Sequence, residues 1–261
     1  MNNQQTALIT GATSGIGYEL AKLFAKDGYR LVLVARDQGK LEQIAREFKQ
    51  NHDVFVKIIS ADLSKSKAVR EVFESIETAK IEIDVLVNNA GFGGYGKFWE
   101  RELKEELTMI DLNVKALVAL THHFIPGMIQ KGSGKILQVA STAGFLSGPL
   151  MANYYATKNY VLSFSEALAE ELKGTGVTVT TLCPGPTDTN FADRAGADHA
   201  SIFKGNLLSP AEVAHIGYDS MLEDKGVVIA GSSKWLIGLS RLVPRTLMTK
   251  MVKKFQESKG K

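Results

Sequence analysis

The sequence predicts an α/β protein with one doubly wound parallel sheet of about seven strands and helices on both faces. Short apolar, β-prone runs alternate with helical patterns along nearly all of the 261 residues, and the longest helical pattern lies around residues 98–130. The predicted strands lie near 6–10, 30–35, 54–59, 83–88, 135–140, 177–183 and 227–230. Because crossovers between parallel strands are right-handed, such a chain places its strand ends at one edge of the sheet.

The first predicted strand, 6–10, runs directly into the glycine-rich turn GATSGIG, 11–17, and then into an amphipathic helix that ends at Gly28. A tight turn and the free N–H groups of a helix N-terminus together bind phosphate groups. The glycines stand at 11, 15 and 17, a G-x-x-x-G-x-G spacing. The pattern favours a dinucleotide site, and a glycine-rich turn without a ligand is the alternative.

The second predicted strand, 30–35, is followed by Arg36. An acidic residue at this point would bind the ribose 2′-hydroxyl of NAD, whereas a guanidinium suits a 2′-phosphate. We therefore predict NADP(H) rather than NAD(H). Two alternatives stay open: the Asp37 carboxylate could reach the ribose, and Arg36 could be a solvated loop cation.

The pattern YYATK places Tyr154 and Lys158 four residues apart, and Ser141 lies thirteen residues before Tyr154. On a helix, positions i and i+4 share a face, and an ammonium beside a phenol lowers the pKa of the phenol. A tyrosine tuned in this way can exchange a proton with an alcohol or carbonyl oxygen. Tyr155 is turned about 100° away, so we assign the role to Tyr154. Taken alone, the pattern also fits an ordinary surface helix.

With these residues in view, the chain resembles the short-chain dehydrogenase/reductase family over about residues 6–231. The matching segments are TGATSGIG (10–17), Asp62-Leu63, NNAG (88–91) and PGPTDT (184–189), in the family's order. The resemblance implies NADP(H)-dependent interconversion of a carbonyl and an alcohol. It also implies a cofactor site made of Gly11, Thr13, Ser14, Gly15, Ile16, Gly17, Arg36, Asp62, Leu63, Asn89, Ala90, Gly91, Tyr154, Lys158, Pro184, Gly185, Thr187 and Thr189.

The resemblance also implies four catalytic residues. Tyr154 is the general acid/base, Lys158 lowers its pKa, Ser141 stabilises the substrate oxygen, and Asn113 supports a water in a proton relay. Simpler roles remain open, with Ser141 as a cap, Asn113 as a buried polar residue, and the two threonines of 184–189 as turn residues.

Residues 187–209 follow the sixth strand, and in the family the equivalent segment closes over the substrate. Its glycines, Gly196 and Gly205, fit a mobile lid, and its apolar residues favour an apolar substrate: Phe191, Ile202 and Phe203. Ketones, aldehydes, oxoacyl thioesters and steroid-like alcohols all remain open. A second aromatic group either floors the substrate pocket or belongs to the core: Phe92, Tyr95, Phe98 and Trp99.

Composition fits an ordinary globular protein, with 44% apolar and 23% charged residues. Cys183 is the only cysteine, so no intrachain disulfide forms, and we expect a packed small apolar residue. The histidines show no ligand spacing, which predicts no metal, and a net charge of +3 is too small to favour nucleic acid. No signal peptide and no apolar run of about 20 residues is visible, so we expect a cytoplasmic protein.

We assign residues 1–231 to the catalytic domain and 232–261 to a helical C-terminal extension of the same domain. After Pro244, an apolar stripe opposes a basic face: Leu247, Met248, Met251, Val252 and Phe255 against Lys250, Lys253 and Lys254. Such a helix packs on its own domain or a partner, our preferred interpretation, or lies on an anionic membrane surface. Because many relatives end earlier in a tetramer-building segment, we expect a homodimer. The alternative functions are a non-catalytic dinucleotide sensor and a membrane-surface protein.

Overall fold

The computed structural model describes residues 5–203, 207–231, 237–238 and 243–257. Seven strands of this part of the chain form one parallel sheet in the order β3-β2-β1-β4-β5-β6-β7. They are β1 (Thr6–Thr10), β2 (Arg30–Ala35), β3 (Val56–Ser60), β4 (Val85–Asn88), β5 (Gly134–Val139), β6 (Val177–Pro184) and β7 (Val227–Ala230). The predicted fold class is confirmed, and each strand begins within two residues of its predicted position.

Helices connect the strands and cover both faces of the sheet. They are α1 (Gly15–Lys26), α2 (Gln38–His52), α3 (Ser66–Thr78), α4 (Leu103–Ile110), α5 (Leu117–Lys131), α6 (Ala152–Glu171), α7 (Phe191–Ala195), α8 (Pro210–Leu222) and α9 (Arg245–Gln256). Neighbouring strand residues alternate between two cores. Ile9 packs in the cluster that includes Leu20 of α1, whereas Leu8 packs with Leu120 of α5.

The helix predicted around 98–130 differs from the prediction in two ways. Residues Phe98–Glu100 form a separate 3₁₀ turn, and α4 begins only at Leu103. The segment Asp111–Ala116, between α4 and α5, is π-helical. One extra residue per turn shifts the side chains of this segment, and such bulges concentrate at functional sites.

The single cysteine of the sequence is buried in the sheet. Cys183, near the end of β6, is 0% exposed and packs with Val161 and Leu162 of α6. The expectation of a packed small apolar residue is confirmed.

Helix α9 packs on its own chain. Met248 and Val252 are each 4% exposed and join a cluster with Met109, Tyr154 and Tyr155. Only part of the apolar stripe predicted for this helix is buried, because Leu247 and Phe255 are each 51% exposed. None of the helices in the described ranges combines the length and apolar character needed to cross a membrane.

Candidate active site

A cavity of about 750 Å³ opens at the carboxyl ends of the strands. Of the predicted site residues, all but Gly17 and Asn113 line it. The cavity therefore joins the glycine-rich turn to the tyrosine and lysine of α6. Among the residues described, no group of three or more histidine, cysteine, aspartate or glutamate side chains is placed to hold a metal ion.

The glycine-rich turn is fixed by its contact with the segment after β4. The Asn89 side-chain amide donates to the Thr10 carbonyl at 2.9 Å and to the Gly11 carbonyl at 3.3 Å. The Thr10 hydroxyl in turn accepts from the backbone N–H groups of Asn89 and Ala90, each at 3.0 Å. These bonds hold the turn against the end of β4, where the predicted segment 88–91 begins.

Glycine is required in this turn for two separate reasons. Gly11 has φ +68°, a conformation that favours glycine. At Gly17 the reason is space, because a Cβ there would lie 2.3 Å from the Asn89 amide nitrogen and 2.4 Å from the Gly11 carbonyl oxygen. Gly17 thus packs against Asn89 and Gly11 rather than facing the cavity, which explains why it does not line the cavity.

The N-terminus of α1 faces the cavity with its backbone donors free. Ser14 is the N-cap residue, and its side chain makes no capping hydrogen bond. The first N–H groups of a helix lack partners within it and carry partial positive charge, so they bind anions. Together with the close-packed glycines, these donors fit the diphosphate of a dinucleotide.

Arg36 and Asp37 follow β2, and Asp62 follows β3, on the same side of the cavity. Asp37 is the N-cap of α2, and its carboxylate accepts from the Lys40 N–H at 3.0 Å. Asp62 accepts from the N–H and the hydroxyl of Ser64, at 3.2 and 2.8 Å. Burial acts to raise the pKa of Asp62, but these bonds and the Arg36 guanidinium outweigh burial and lower it. Both carboxylates are thus held in local contacts beside Arg36.

Ser141 and Tyr154 meet at the other end of the cavity. The Ser141 hydroxyl caps a 3₁₀ turn at Thr142–Phe145, accepting from the Ala143 N–H at 3.1 Å, and donates to the Pro184 carbonyl at 3.4 Å. Burial raises the pKa of the Tyr154 phenol, and the nearby Ser141 hydroxyl offsets this effect only in part. Ser141 is thus a cap, as the simpler interpretation holds, and it lines the cavity together with Tyr154.

The structure corrects the predicted effect of Lys158 on Tyr154. The Lys158 ammonium donates to the Val139 carbonyl at 2.8 Å and lies 6.0 Å from the centre of the Tyr154 ring. Burial lowers the pKa of Lys158 itself to about 8. The pKa of Tyr154 is raised rather than lowered, because burial of the phenol dominates and the ammonium is directed at the β5 carbonyl.

Asn113 lies in the π-helical segment and is 2% exposed. Its side-chain oxygen accepts from the Phe92 N–H at 3.1 Å, and its nitrogen donates to the Phe92 carbonyl at 2.9 Å and the Thr157 hydroxyl at 3.1 Å. The amide thus ties the chain after β4 to α6. A Cβ on Gly91 would lie 3.1 Å from the Asn113 oxygen and 3.6 Å from the Lys158 nitrogen. The three residues therefore meet at one point, although the water relay stays a prediction.

Tyr155 does not leave the cavity, although it is rotated away from Tyr154. The two rings lie 6.1 Å apart in an edge-to-face arrangement, and both side chains line the cavity. Tyr155 is 5% exposed, and burial raises its pKa to about 12. The Ser141 hydroxyl acts to lower the pKa of Tyr154, and the Gln256 side chain acts in the same way on Tyr155, so the assignment of the proton-transfer role to Tyr154 stays a prediction.

The segment predicted as a lid forms the apolar wall beside Tyr154. Its described part contains α7 and a 3₁₀ turn at Ser201–Phe203, whereas Gly205 lies outside the described residues. Phe191 lies 5.2 Å from the Tyr154 ring and 6.3 Å from the Phe203 ring. Five apolar residues complete this wall: Phe92, Met151, Phe191, Ile202 and Phe203.

The two threonines after β6 combine both predicted roles. Thr187 donates to the Gly185 carbonyl at 2.9 Å, and Thr189 accepts from the Phe191 N–H at 3.3 Å. Both also line the cavity. They are turn residues that line the cavity, and their contact with the cofactor stays a prediction.

The four residues of the second aromatic group have different environments. Phe92 lines the cavity, and the Tyr95 hydroxyl donates to the Gln256 carbonyl of α9 at 2.7 Å. Phe98 and Trp99 are 57% and 78% exposed, so they belong neither to the pocket nor to the core.

Several residues of the cavity were not singled out from the sequence, among them Met151, Asn190 and Arg194. Met151 immediately precedes α6, and the other two belong to the predicted lid. Their side-chain directions depend on the packing of α7 and carry no motif. Only the aromatic residues of 187–209 indicated that this segment contributes to a wall.

The comparisons with known proteins agree with this geometry. A family model described as short chain dehydrogenase matches residues 5–200. The chain is 38% identical over 197 residues to sulfoacetaldehyde reductase 2 of Chromohalobacter salexigens, covering 74% of this chain and 77% of that one.

Two solved structures share nearly the whole fold. A short-chain dehydrogenase from Sphingobium yanoikuyae, in complex with NADPH, is 30% identical with a TM-score of 0.82, covering 98% of this chain and 99% of that one. A bulky-bulky ketone specific alcohol dehydrogenase from Comamonas testosteroni is 28% identical with a TM-score of 0.80, covering 98% of each chain. The chain belongs to the short-chain dehydrogenase family.

Proposed function

We propose that this short-chain dehydrogenase uses NADP(H) to interconvert a carbonyl and an alcohol, with Tyr154 as the residue that exchanges the proton. One observation carries the proposal. A single cavity is lined by the glycine-rich turn at one end and, at the other, by Ser141, Tyr154 and, one helical turn further along α6, Lys158. A site of this kind matches the needs of hydride transfer to a polarised carbonyl.

The residues that would hold the dinucleotide follow from the cavity. The free N–H groups of α1 and the glycine-rich turn would bind the diphosphate, and Asp62 and Leu63 would lie beside the adenine. Thr187 and Thr189 would face the nicotinamide end. When bound, the reduced dinucleotide supplies the hydride that the carbonyl carbon accepts.

The chain's own residues supply the proton. Because burial raises the pKa of Tyr154, its phenol stays protonated at neutral pH and can donate to a carbonyl oxygen. Ser141 is oriented by its own hydrogen bonds and can donate to the same oxygen, which stabilises the charge that grows there. The Lys158 ammonium donates to the Val139 carbonyl and lies 6.0 Å from the centre of the Tyr154 ring, so it supplies positive charge to this end of the cavity.

The choice of NADP(H) rests on Arg36. The Asp37 carboxylate, the alternative ribose ligand, already caps α2. Arg36 lines the cavity and its guanidinium suits a 2′-phosphate. We expect NADPH to bind much more tightly than NADH, and Arg36→Met to remove most of this difference, with Arg70→Met as a control outside the cavity. Equal affinities of the unmodified protein would refute the preference.

The wall beside Tyr154 supports a bulky apolar substrate. The side chains nearest the phenol are aromatic or aliphatic, with Phe191, Met151 and Tyr155 around it. The Comamonas relative is named for bulky ketones, and the apolar side chains next to the phenol suit such a substrate better than the small, anionic substrate for which the other relative is named. An NADPH-oxidation screen should therefore favour bulky ketones over sulfoacetaldehyde. Turnover of no carbonyl substrate would contradict the proposed activity.

A homodimer in the cytoplasm is part of the proposal. An exposed apolar strip supports self-association: Trp99, Leu103 and Leu107, at 78%, 65% and 51% exposure, follow one another at four-residue intervals. Light scattering coupled to gel filtration should give twice the 28.4 kDa mass of the chain. Trp99→Glu should shift the population toward monomer.

A further inference from the structure

Arg194 is a cavity residue that no motif accounts for. It lies in α7, near the end of that helix, and its guanidinium carbon sits 4.6 Å from the centre of the Phe92 ring. A guanidinium over an aromatic face is held in position while its donors stay available. None of the ion pairs within the described ranges includes Arg194. Arg194 is an exposed residue that lines the cavity, so its donors can be reached by a ligand there.

The surroundings of Arg194 carry an excess of positive charge. Arg36 and Lys40 line the same cavity. Desolvation lowers the pKa of Arg194, the charge of Arg36 lowers it further, and Asp62 raises it in part. The two carboxylates of this end are already committed, Asp37 to the Lys40 N–H and Asp62 to Ser64. Two arginines that repel each other, next to carboxylates that already have hydrogen-bond partners, can be stabilised by an anionic ligand between them.

We propose that Arg194 is a phosphate-binding residue supplied by the lid segment, which pairs with a phosphate group of the dinucleotide from the side opposite the glycine-rich turn. This proposal rests on the proposed function, because it concerns the same cofactor. Such pairing would also affect the position of the lid helix α7. Pairing offsets the repulsion from Arg36 and holds α7 against the cavity, so phosphate binding also positions Phe191 beside Tyr154.

The test is direct binding rather than turnover. We would measure the Kd of NADPH and of NADH by calorimetry for the unmodified protein, Arg194→Met and Arg194→Lys. Methionine keeps apolar volume over Phe92 without the charge, and Arg70→Met on α3 controls for the loss of one positive charge. We expect Arg194→Met to raise the Kd of NADPH at least tenfold, with Arg194→Lys in between. Arg70→Met should change it less than twofold.

The two dinucleotides separate the possible phosphates. An equal rise for NADPH and NADH assigns Arg194 to the diphosphate, and a rise for NADPH alone assigns it to the 2′-phosphate. Hydrogen exchange of residues 189–203 gives a second readout. NADPH should slow exchange there in the unmodified protein and much less in Arg194→Met.

Two outcomes would overturn the inference. Either both affinities change less than twofold in Arg194→Met, or NADPH protects 189–203 equally in that variant. An unmodified protein that binds neither dinucleotide would instead defeat the proposed function.

Discussion

The two ends of the cavity are built in different ways. At the phosphate end, backbone carbonyls, free N–H groups and glycines of 10–17 and 88–91 form the surface, and the contacts are short hydrogen bonds. At the substrate end, Phe191 of the lid segment lines the cavity, and Met248 and Val252 of α9 pack in the apolar cluster behind that surface. Tyr154 stands where the two meet, since it packs in the apolar cluster and lines the cavity next to Ser141.

This difference explains what each end can tolerate. A surface made of backbone is disturbed by any added atom, because there is no side chain that could move aside. A surface made of side chains tolerates changes of shape and loses stability with lost volume. Substrate choice can therefore change at one end while dinucleotide binding is retained at the other. Substitutions at each end test this separation.

The largest effect on activity is expected at Tyr154, where the two ends of the cavity meet. Tyr154→Phe removes the proton donor and should lower kcat by about 10²–10⁴-fold, with the Kd of NADPH nearly unchanged. Tyr155→Phe is the matched control and should be mild, although Tyr155 also lines the cavity. Steady-state kinetics with calorimetry would measure both. A dead Tyr155→Phe with an active Tyr154→Phe would reverse the assignment.

The next effect concerns the packed end. Met248 is 4% exposed, and Met248→Ala should cost about 2–5 kcal/mol of unfolding free energy. It should also raise the KM of a bulky ketone, because the emptied volume lies behind Tyr154 and Tyr155. Leu247→Ala, on the exposed face of α9, should stay within about 0.5 kcal/mol. Urea denaturation compares the two.

The reverse order would mean that the exposed face of α9, rather than the buried one, carries its function. Liposome binding lost in Leu247→Ala would then favour the membrane-surface alternative.

The phosphate end should respond to a single methyl group. Gly17→Ala places a Cβ within 2.4 Å of the Gly11 carbonyl oxygen, and we expect a loss of about 1–3 kcal/mol in unfolding free energy together with weaker NADPH binding. Gly127→Ala in α5 is the control, because a Cβ there meets nothing within 4 Å. It should stabilise the helix by about 0.5–1 kcal/mol. Tight NADPH binding by Gly17→Ala would show that the turn is less rigid than its contacts indicate.

The smallest effect at neutral pH is the titration of Lys158. Burial lowers its pKa to about 8 from an ordinary 10.5, so the ammonium is lost as the pH rises through about 8. The kcat/KM for carbonyl reduction should fall above that pH, and Lys158→Met should lack this limb. The free energy of unfolding changes in the opposite direction. Between pH 8 and 10.5 the unfolded chain binds more protons, so the unfolding free energy should rise with pH.

The phosphate end could be predicted from the sequence because its contacts are local or made by the backbone. Glycine spacing, a strand before the turn and a helix after it determine where the free N–H groups lie, and all seven strands were predicted within two residues of their starts. The i, i+4 relation of Tyr154 and Lys158 likewise needs only helical geometry.

The rest depends on contacts between distant segments. The π-helical turn around Asn113 accompanies a side-chain amide that bonds to Phe92, 21 residues away. The pKa of Tyr154 follows burial by α7 and α9, which no local pattern shows. The stripe on α9 was visible, but which of its residues are buried depends on where the helix lies.

The backbone of residues 256–257 accepts two hydrogen bonds from the walls of the site. The Tyr95 hydroxyl donates to the Gln256 carbonyl at 2.7 Å, and the Ser201 hydroxyl donates to the Glu257 carbonyl at 3.1 Å. Truncation before residue 256 would remove both acceptors and leave the Tyr95 and Ser201 hydroxyls without these partners. Kinetics of such a shortened variant would therefore report altered pocket walls as well as the missing segment.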